Sequence, residues 1–389
     1  MAVPRRRLPH APAPPGGERA CRPRRASWTL GVVALLLSAC APAGGPAFDT
    51  DGLPEKLSEW GVLSAHDGVL EFSDGAMPYD LATPLFSDYA LKLRTVSLPP
   101  GTSATYHPDE AFDFPVGTIV TKTFYYPVSS DGVAIGPERS VETGVLPLDG
   151  LRLIETRILH RRAEGWIALP YVWNPEQTDA VLKRAGDFVE TTLYRPDGRA
   201  EPLNYFIPNA NQCAGCHATD NTTRAIQPIG LKARHLNKPS SFAPTANQLD
   251  LWRLSGLLAG NPGGPAPRNA VWTDESEGLD ARARAYLDVN CSHCHSDVGP
   301  ADTSGLDLRP ETPMGPKVGL CKGTIAAGAG SGGRPYDIVP AKPDESILLF
   351  RLQTADPAAM MPELGRSVVH EEGVALIQRW IEGMAGSCD

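Results

Sequence analysis

The sequence predicts an α+β chain of several domains: an N-terminal antiparallel β-rich domain, then two segments that each carry a cysteine–histidine motif, the last of them α-helical. Three observations carry this. Between residues 48 and 210, β-branched and aromatic runs are broken by proline or glycine about every ten residues, the pattern of short antiparallel strands. Near the C-terminus, residues 279–290 and 371–384 instead repeat their apolar residues at helical spacing. Between and within these regions the sequence Cys-x-x-Cys-His occurs twice, at 213–217 and 291–295.

Residues 1–27 are rich in Arg and Pro, and Trp28–Ala39 is apolar but, at about 12 residues, too short to span a bilayer as a helix. This is the pattern of a secretory signal. Leu37-Ser38-Ala39-Cys40 resembles the bacterial lipoprotein box, in which the cysteine becomes the first mature residue and receives the lipid. The expectation is a signal peptide over 1–39, lipidation at Cys40 and a Pro/Gly/Ala-rich linker over 40–47. The chain would then sit on the periplasmic side of a bacterial membrane, the outer membrane being favoured, held by its lipid. An ordinary cleaved signal, or an uncleaved anchor, with an incidental Cys40 is the alternative. Arg24-Arg25 hints at a twin-arginine signal, but the residues after it fit poorly.

The full chain carries a net charge of −9; seven Arg and one Glu lie in 1–39, so the remainder carries −15. Such a balance argues against nucleic acid, which demands a basic face. It suits encounter with basic redox partners in the periplasm or at the membrane.

In the β-rich domain (48–210), Val116–Val128 reads as a strand ended by proline. Leu153–Arg161 and Trp166–Trp173 read as a hairpin about Ala163-Glu164-Gly165, and Val189–Tyr194 and Leu203–Ile207 flank the turn Pro196-Asp197-Gly198. A sandwich or barrel is the natural architecture. Phe124, Tyr125, Tyr126, Trp166, Tyr171 and Trp173 read as core rather than as a binding groove.

The two motifs supply the chemistry. Cysteines three apart place both sulfurs on one side of a helical turn, within reach of the two vinyl groups of one porphyrin. The histidine that follows can give iron an axial nitrogen. The sequence thus predicts two covalently attached c-type haems, one on Cys213 and Cys216 with His217 on iron, the other on Cys291 and Cys294 with His295 on iron. A zinc site fits less well, because each pair already has its own histidine. Cys21 leaves with the signal and Cys40 takes the lipid, so Cys321 and Cys388 remain; in an oxidising compartment a disulfide is the simplest outcome, two free thiols the other.

The first haem segment (211–268) adds a helix over Ala246–Ala259, with Thr245 as its cap and Leu251, Leu254 and Leu258 on one stripe. The last domain (269–389) reads as a small cytochrome c-like unit. Its opening helix offers Leu279, Ala283, Tyr286 and Leu287, its closing helix Val374, Ile377, Trp380, Ile381 and Met384, and Tyr286 against Trp380 is the expected crossing pair. Met361-Pro362 lies in the loop before the closing helix, 66 residues beyond His295. Met361 is the expected sixth ligand, a soft thioether that favours ferrous iron, with Met360 and Met314 in reserve. For the first haem His107, His160, His235 and Met77 stand open as sixth ligands, as does five-coordination. Gly328–Gly333 matches the dinucleotide pattern G-x-G-x-x-G but runs into Arg334-Pro335 with no strand–helix frame, and reads as a loop.

After residue 50 the chain resembles, nearly end to end, a bacterial family of diheme c-type cytochrome lipoproteins. The stretches that carry the resemblance are Pro78–Leu81, Pro84–Ala90, Phe114–Thr118, Ala168–Asn174 and Ile207–Cys213, then Ala283–Asp288, Tyr336–Pro340 and Met361–Gly365. The resemblance implies haem binding and electron transfer, with no reaction attached. Two functions follow from the sequence: a relay of single electrons between periplasmic redox partners, or a peroxidase-like enzyme with its chemistry at the first haem. A haem-based sensor is a third reading, without a residue constellation to support it.

Overall fold

The computed structural model describes residues 45–137, 144–260, 264–325 and 327–388. Cys40, the signal peptide and most of the linker lie outside the described residues. Residues 43–389 form one compact unit of mixed α+β structure, β-rich in its first half. Among the described residues, no helix is long and apolar enough to cross a membrane.

A sheet of nine described strands dominates the first half. Its centre is four antiparallel strands in spatial order: β1 (Leu91–Ser97), β2 (Ile119–Ser129), β3 (Leu151–Arg162) and β4 (Gly165–Trp173). β2 begins three residues later than its sequence suggests. Gly117 takes a left-handed φ of 94°, and Thr118 bonds back to the Pro115 carbonyl, so the chain turns before it pairs. Strands β5 (Asp187–Tyr194) and β6 (Ala200–Ile207) form the expected hairpin about Pro196-Asp197-Gly198, with Gly198 at φ 87° and the Asp197 carboxylate accepting from the Arg199 N–H.

Alternation along the strands separates two faces. Leu93, Ile119, Ile158, Leu169 and Tyr171 pack beneath a three-stranded sheet (Leu63–His66, Val69–Phe72, Val145–Pro147), so the architecture is an unequal sandwich. The opposite face splits. Phe124, Tyr126 and Ile154 pack against the β5–β6 hairpin, while Val96, Val120, Leu159 and Ala168 share a cluster with Cys213, Leu231, Leu236, Leu249 and Trp252. The boundary expected at residue 210 therefore separates no cores: the first motif and its following segment are built onto the sheet. Phe124, Tyr125, Tyr126, Tyr171 and Trp173 are all buried.

The helix expected over 246–259 is shorter. α1 spans Gln248–Leu254, capped by the Asn247 side chain rather than Thr245, and Gly256 at φ 76° ends it. Leu258–Ala259 then pairs with Ala104–Thr105. Leu254 is 85 % exposed, so the helix buries Leu249 and Trp252; of the expected leucine stripe Leu258 is buried, but from the strand after the helix.

Residues 272–384 close around a separate apolar cluster. Its helices are α2 (Leu279–Leu287), α3 (Ile347–Gln353) and α4 (Glu371–Glu382). α2 and α4 pack antiparallel, but the expected Tyr286–Trp380 pair does not form. Trp380 Nε1 donates to Asp280 Oδ1 at 2.8 Å near one end of the crossing. At the other end the Tyr286 ring lies over Gly373, where a Cβ would collide with it. The bare glycine lets the helices approach. Gly373→Ala is expected to cost about 1–3 kcal/mol, the usual range for overpacking, read as a lower denaturation midpoint at unchanged m-value. Beyond the cluster, Cys321 and Cys388 are joined (S–S 2.15 Å, Cα–Cα 5.2 Å), tying a loop to the C-terminus.

Candidate functional site

α2 delivers the second motif. After Leu287 the helix widens into a π turn, Asp288–Ser292, and both the Cys294 and His295 N–H groups then bond to the Cys291 carbonyl (3.0 and 2.8 Å). One turn thus presents Cys291, Cys294 and His295 to a cavity of about 530 Å³. That volume lies within the range of cofactor sites, about 300–1,000 Å³. Its walls are mainly apolar, with Leu308, Ile338 and Leu352, and Met361 lines it too.

The histidine is oriented from behind. Ser304 Oγ gives its proton to the Ala301 carbonyl (2.7 Å), so it accepts from His295 Nδ1–H (3.1 Å). Nε2 is left as the free lone pair, the arrangement that a metal-binding imidazole requires. Burial pushes the His295 pKa down to about 4, with Arg351 and Lys322 adding to the effect, so the ring is neutral at pH 7.

The first motif is built on the same plan from different parts. Asn209 and Gln212 exchange side-chain and backbone hydrogen bonds (2.9 and 2.8 Å), turning the chain out of β6 into a single helical turn, Ala214–His217. His217 Nδ1–H donates to the Gln227 carbonyl at 2.8 Å, again leaving Nε2 free. Burial holds its pKa near 4. Burial also pushes the thiols up: Cys213 to about 11, Cys216 above its ordinary value, Cys291 and Cys294 each to about 12. None of the four is in a disulfide.

The two motifs touch. Cys294 Sγ lies 3.3 Å from the Gly215 carbonyl oxygen, and the Asn221 N–H donates to the Val298 carbonyl at 2.7 Å. Cys216 and Gly215 line the same cavity as the second motif. Leu364, three residues beyond Met361, abuts Gly215 closely enough to leave little room for a side chain there.

Of the reserve ligands, Met314 is 44 % exposed, and Met360 is buried. His107 caps a turn, accepting from the Asp109 and Glu110 N–H groups (3.2 and 2.9 Å). His160 faces the carbonyl of Phe48 at 3.0 Å and packs on Trp60. His235 stands 3.7 Å from the Asp288 carboxylate and lines a second cavity, about 320 Å³, with Arg234, Ser292 and His293. Met77 pairs its backbone with Val96 in the sheet.

Several site residues carry no sequence signal. Asp288, three residues before Cys291, accepts from Arg234 through two nitrogens (2.8 and 3.0 Å), from Asn269 (2.7 Å) and from Ser292 (2.8 Å). Asn290 Oδ1 accepts from the Phe86 N–H, and Asp88 accepts from the Ser367 and Val368 N–H groups, so the 86–88 turn grips both the second motif and the methionine loop. Arg366 holds that loop from inside, donating to the carbonyls of Met361, Arg351 and Thr354. His293, inside the second motif, lines both cavities. Among the described residues no three His, Cys, Asp or Glu side chains converge as a metal cage. Each histidine instead stands beside a pair of sulfurs, and His295 also borders the apolar cavity. Compared with protein-family profiles, curated proteins and solved structures, the chain matches none.

Proposed function

We propose that this chain is an exported diheme c-type cytochrome that relays single electrons between periplasmic or membrane-bound redox proteins, with residues 269–389 as its cytochrome c-like part. The observation that carries the reading is the contact between the two motifs at Cys294 and Gly215. The residues fit the group. Each motif has two free sulfurs on one turn, a neutral histidine whose Nδ1 is engaged and whose Nε2 is free, and, for the second, an apolar cavity with a thioether on its wall.

Cys213 and Cys216 would hold one haem with His217 on its iron, and Cys291 and Cys294 the other with His295 and Met361. The haem irons supply a one-electron couple. The chain sets the conditions around them: Ser304 and the Gln227 carbonyl fix the imidazoles, Arg366 fixes the methionine loop, and the apolar walls keep water from the site. The net negative charge favours basic partners, and the lipid at Cys40 would keep the relay at the membrane. A second reading, catalysis at the first haem, draws on the 320 Å³ cavity that Thr219 and Gln227, just beyond the first motif, line together with His293, His235 and Arg234.

Electron paramagnetic resonance and peroxide assays on the purified holoprotein separate the two. Two low-spin, six-coordinate centres without peroxide turnover are expected. A high-spin centre that binds cyanide and turns over peroxide would replace the relay by an enzyme.

A further inference from the structure

The sheet face behind the first motif carries an arrangement that folding alone disfavours. In register across three adjacent strands, Arg94 on β1 stands opposite Lys122 on β2, which stands opposite Arg157 on β3. Three cations side by side repel one another. Glu155 neutralises Arg157 through two short bonds, and Asp80 stands 3.9 Å from Arg94. Those contacts leave the row incompletely matched. Arg94 is 3 % exposed, yet its Nη2 has no hydrogen-bond partner. Lys122 lies 4.8 Å from the Phe124 ring with no hydrogen bond or ion pair among the described residues, and burial, Arg94, Lys92 and Arg157 hold its ammonium well below its ordinary pKa, with only Glu155 acting the other way. A buried guanidinium with an unpaired nitrogen, as at Arg94, is costly, and a half-buried ammonium beside two like charges loses its proton readily unless an anion joins it.

The row faces the first motif. Alternation puts these side chains on the face of Val96, Val120, Leu159 and Ala168, and Cys213 packs in that cluster. Lys122 and Arg157 are close enough to act electrostatically on Cys216 and His217. A carboxylate beside the motif would give Arg94 and Lys122 the partners they lack. A c-type haem brings two, its propionates; a free dicarboxylate is the other source of the same chemistry.

We propose that Arg94, Lys122 and Arg157 form a carboxylate clamp for the porphyrin joined to Cys213 and Cys216, holding its propionates and setting the potential of that haem alone. The proposal rests on the diheme reading. A fixed positive charge beside a haem disfavours the ferric state, so removing one lowers that haem's potential.

The test is a spectroelectrochemical titration of the exported holoprotein and its Lys122→Met and Lys122→Arg variants, each first weighed for haem content. With both haems present, Lys122→Met is expected to shift the ferric/ferrous ratio of one haem about tenfold toward ferric at fixed poise, equivalent to a potential about 59 mV lower, and leave the other unchanged. Lys122→Arg is expected to restore the potential, which a merely misfolded sheet would not allow. In a second arm, succinate added to the wild type is expected to leave both potentials unmoved. Two haems with both potentials unaffected by Lys122→Met would overturn the clamp while leaving the diheme reading intact. A saturable succinate shift in the wild type, lost in Lys122→Met, would overturn it in favour of a free-anion site. A wild-type chain without haem would instead remove the reading beneath it.

Discussion

Asp288→Ala is expected to destabilise the protein by about 3–5 kcal/mol, the range for breaking a buried ion pair. The Asp288 carboxylate is buried and accepts from Arg234, Asn269 and Ser292. Removing it strands the Arg234 guanidinium, itself buried, with its charge uncompensated. Denaturant unfolding measures the loss, and a double-mutant cycle with Arg234→Met isolates the pair. The double variant is expected to be more stable than Asp288→Ala alone, because no charge is left buried without a partner. If Asp288→Ala unfolds within about 1 kcal/mol of the wild type, the network does not brace the second motif.

The same cluster sets an acid limit. Burial holds His235 at about 4, against about 6.5 in the unfolded chain. The unfolded state therefore takes up protons first as pH falls. The stability of the neutral ring is complete above about pH 6.5 and is lost as pH falls toward 4, in total about 2–4 kcal/mol. Asp288, held well below the ordinary carboxylate range by His235 and Arg234 against its own burial, adds a loss only at still lower pH. His235→Gln is expected to make the pH 6.5–4 limb of the stability curve shallower without abolishing it, because burial also holds His293 and His370 at about 3; an unchanged limb would place the sensitivity elsewhere.

Met361→Ala is the second large expectation. Met361 lines the cavity of Cys291, Cys294 and His295, and its N–H is tied to the Arg351 carbonyl at 2.9 Å. With the thioether gone, both haems are expected to stay attached. One then loses the sulfur-to-iron charge-transfer band and falls in potential by on the order of 0.1 V, a part of the roughly 0.8 V that axial ligands span. Met361→His is expected to restore a low-spin spectrum without restoring the potential. Full retention of the band in Met361→Ala would move the ligand role to another residue, Met360 being the neighbour to test.

What the sequence alone could show follows from how local each feature is. A Cys-x-x-Cys-His turn is five residues, so the proposal of haem attachment can be made without the fold, and the hairpins about Ala163-Glu164 and Pro196-Asp197-Gly198, which the structure forms, are equally local. Helix ends were less readable: α1 ends where Gly256 turns left-handed, and Leu254 fits an apolar stripe on paper while facing solvent. The features hidden from the sequence join residues far apart in the chain. Arg94, Lys122 and Arg157 become one row only once three strands take their register. Asp88 meets Val368 across 280 positions, and Arg234 meets Asp288 across 54. For the same reason 211–268 reads as a separate segment, although Leu249 and Trp252 complete a cluster begun by Val96 and Val120.

The central claim is that four cysteines are consumed in thioether bonds to two porphyrins. The intact mass of the exported, denatured protein after extraction with acidified acetone tests it directly. The polypeptide is expected to carry two haem increments, falling to one in Cys213→Ala/Cys216→Ala and to one in Cys291→Ala/Cys294→Ala. A wild-type mass equal to the bare or lipidated chain would contradict the account.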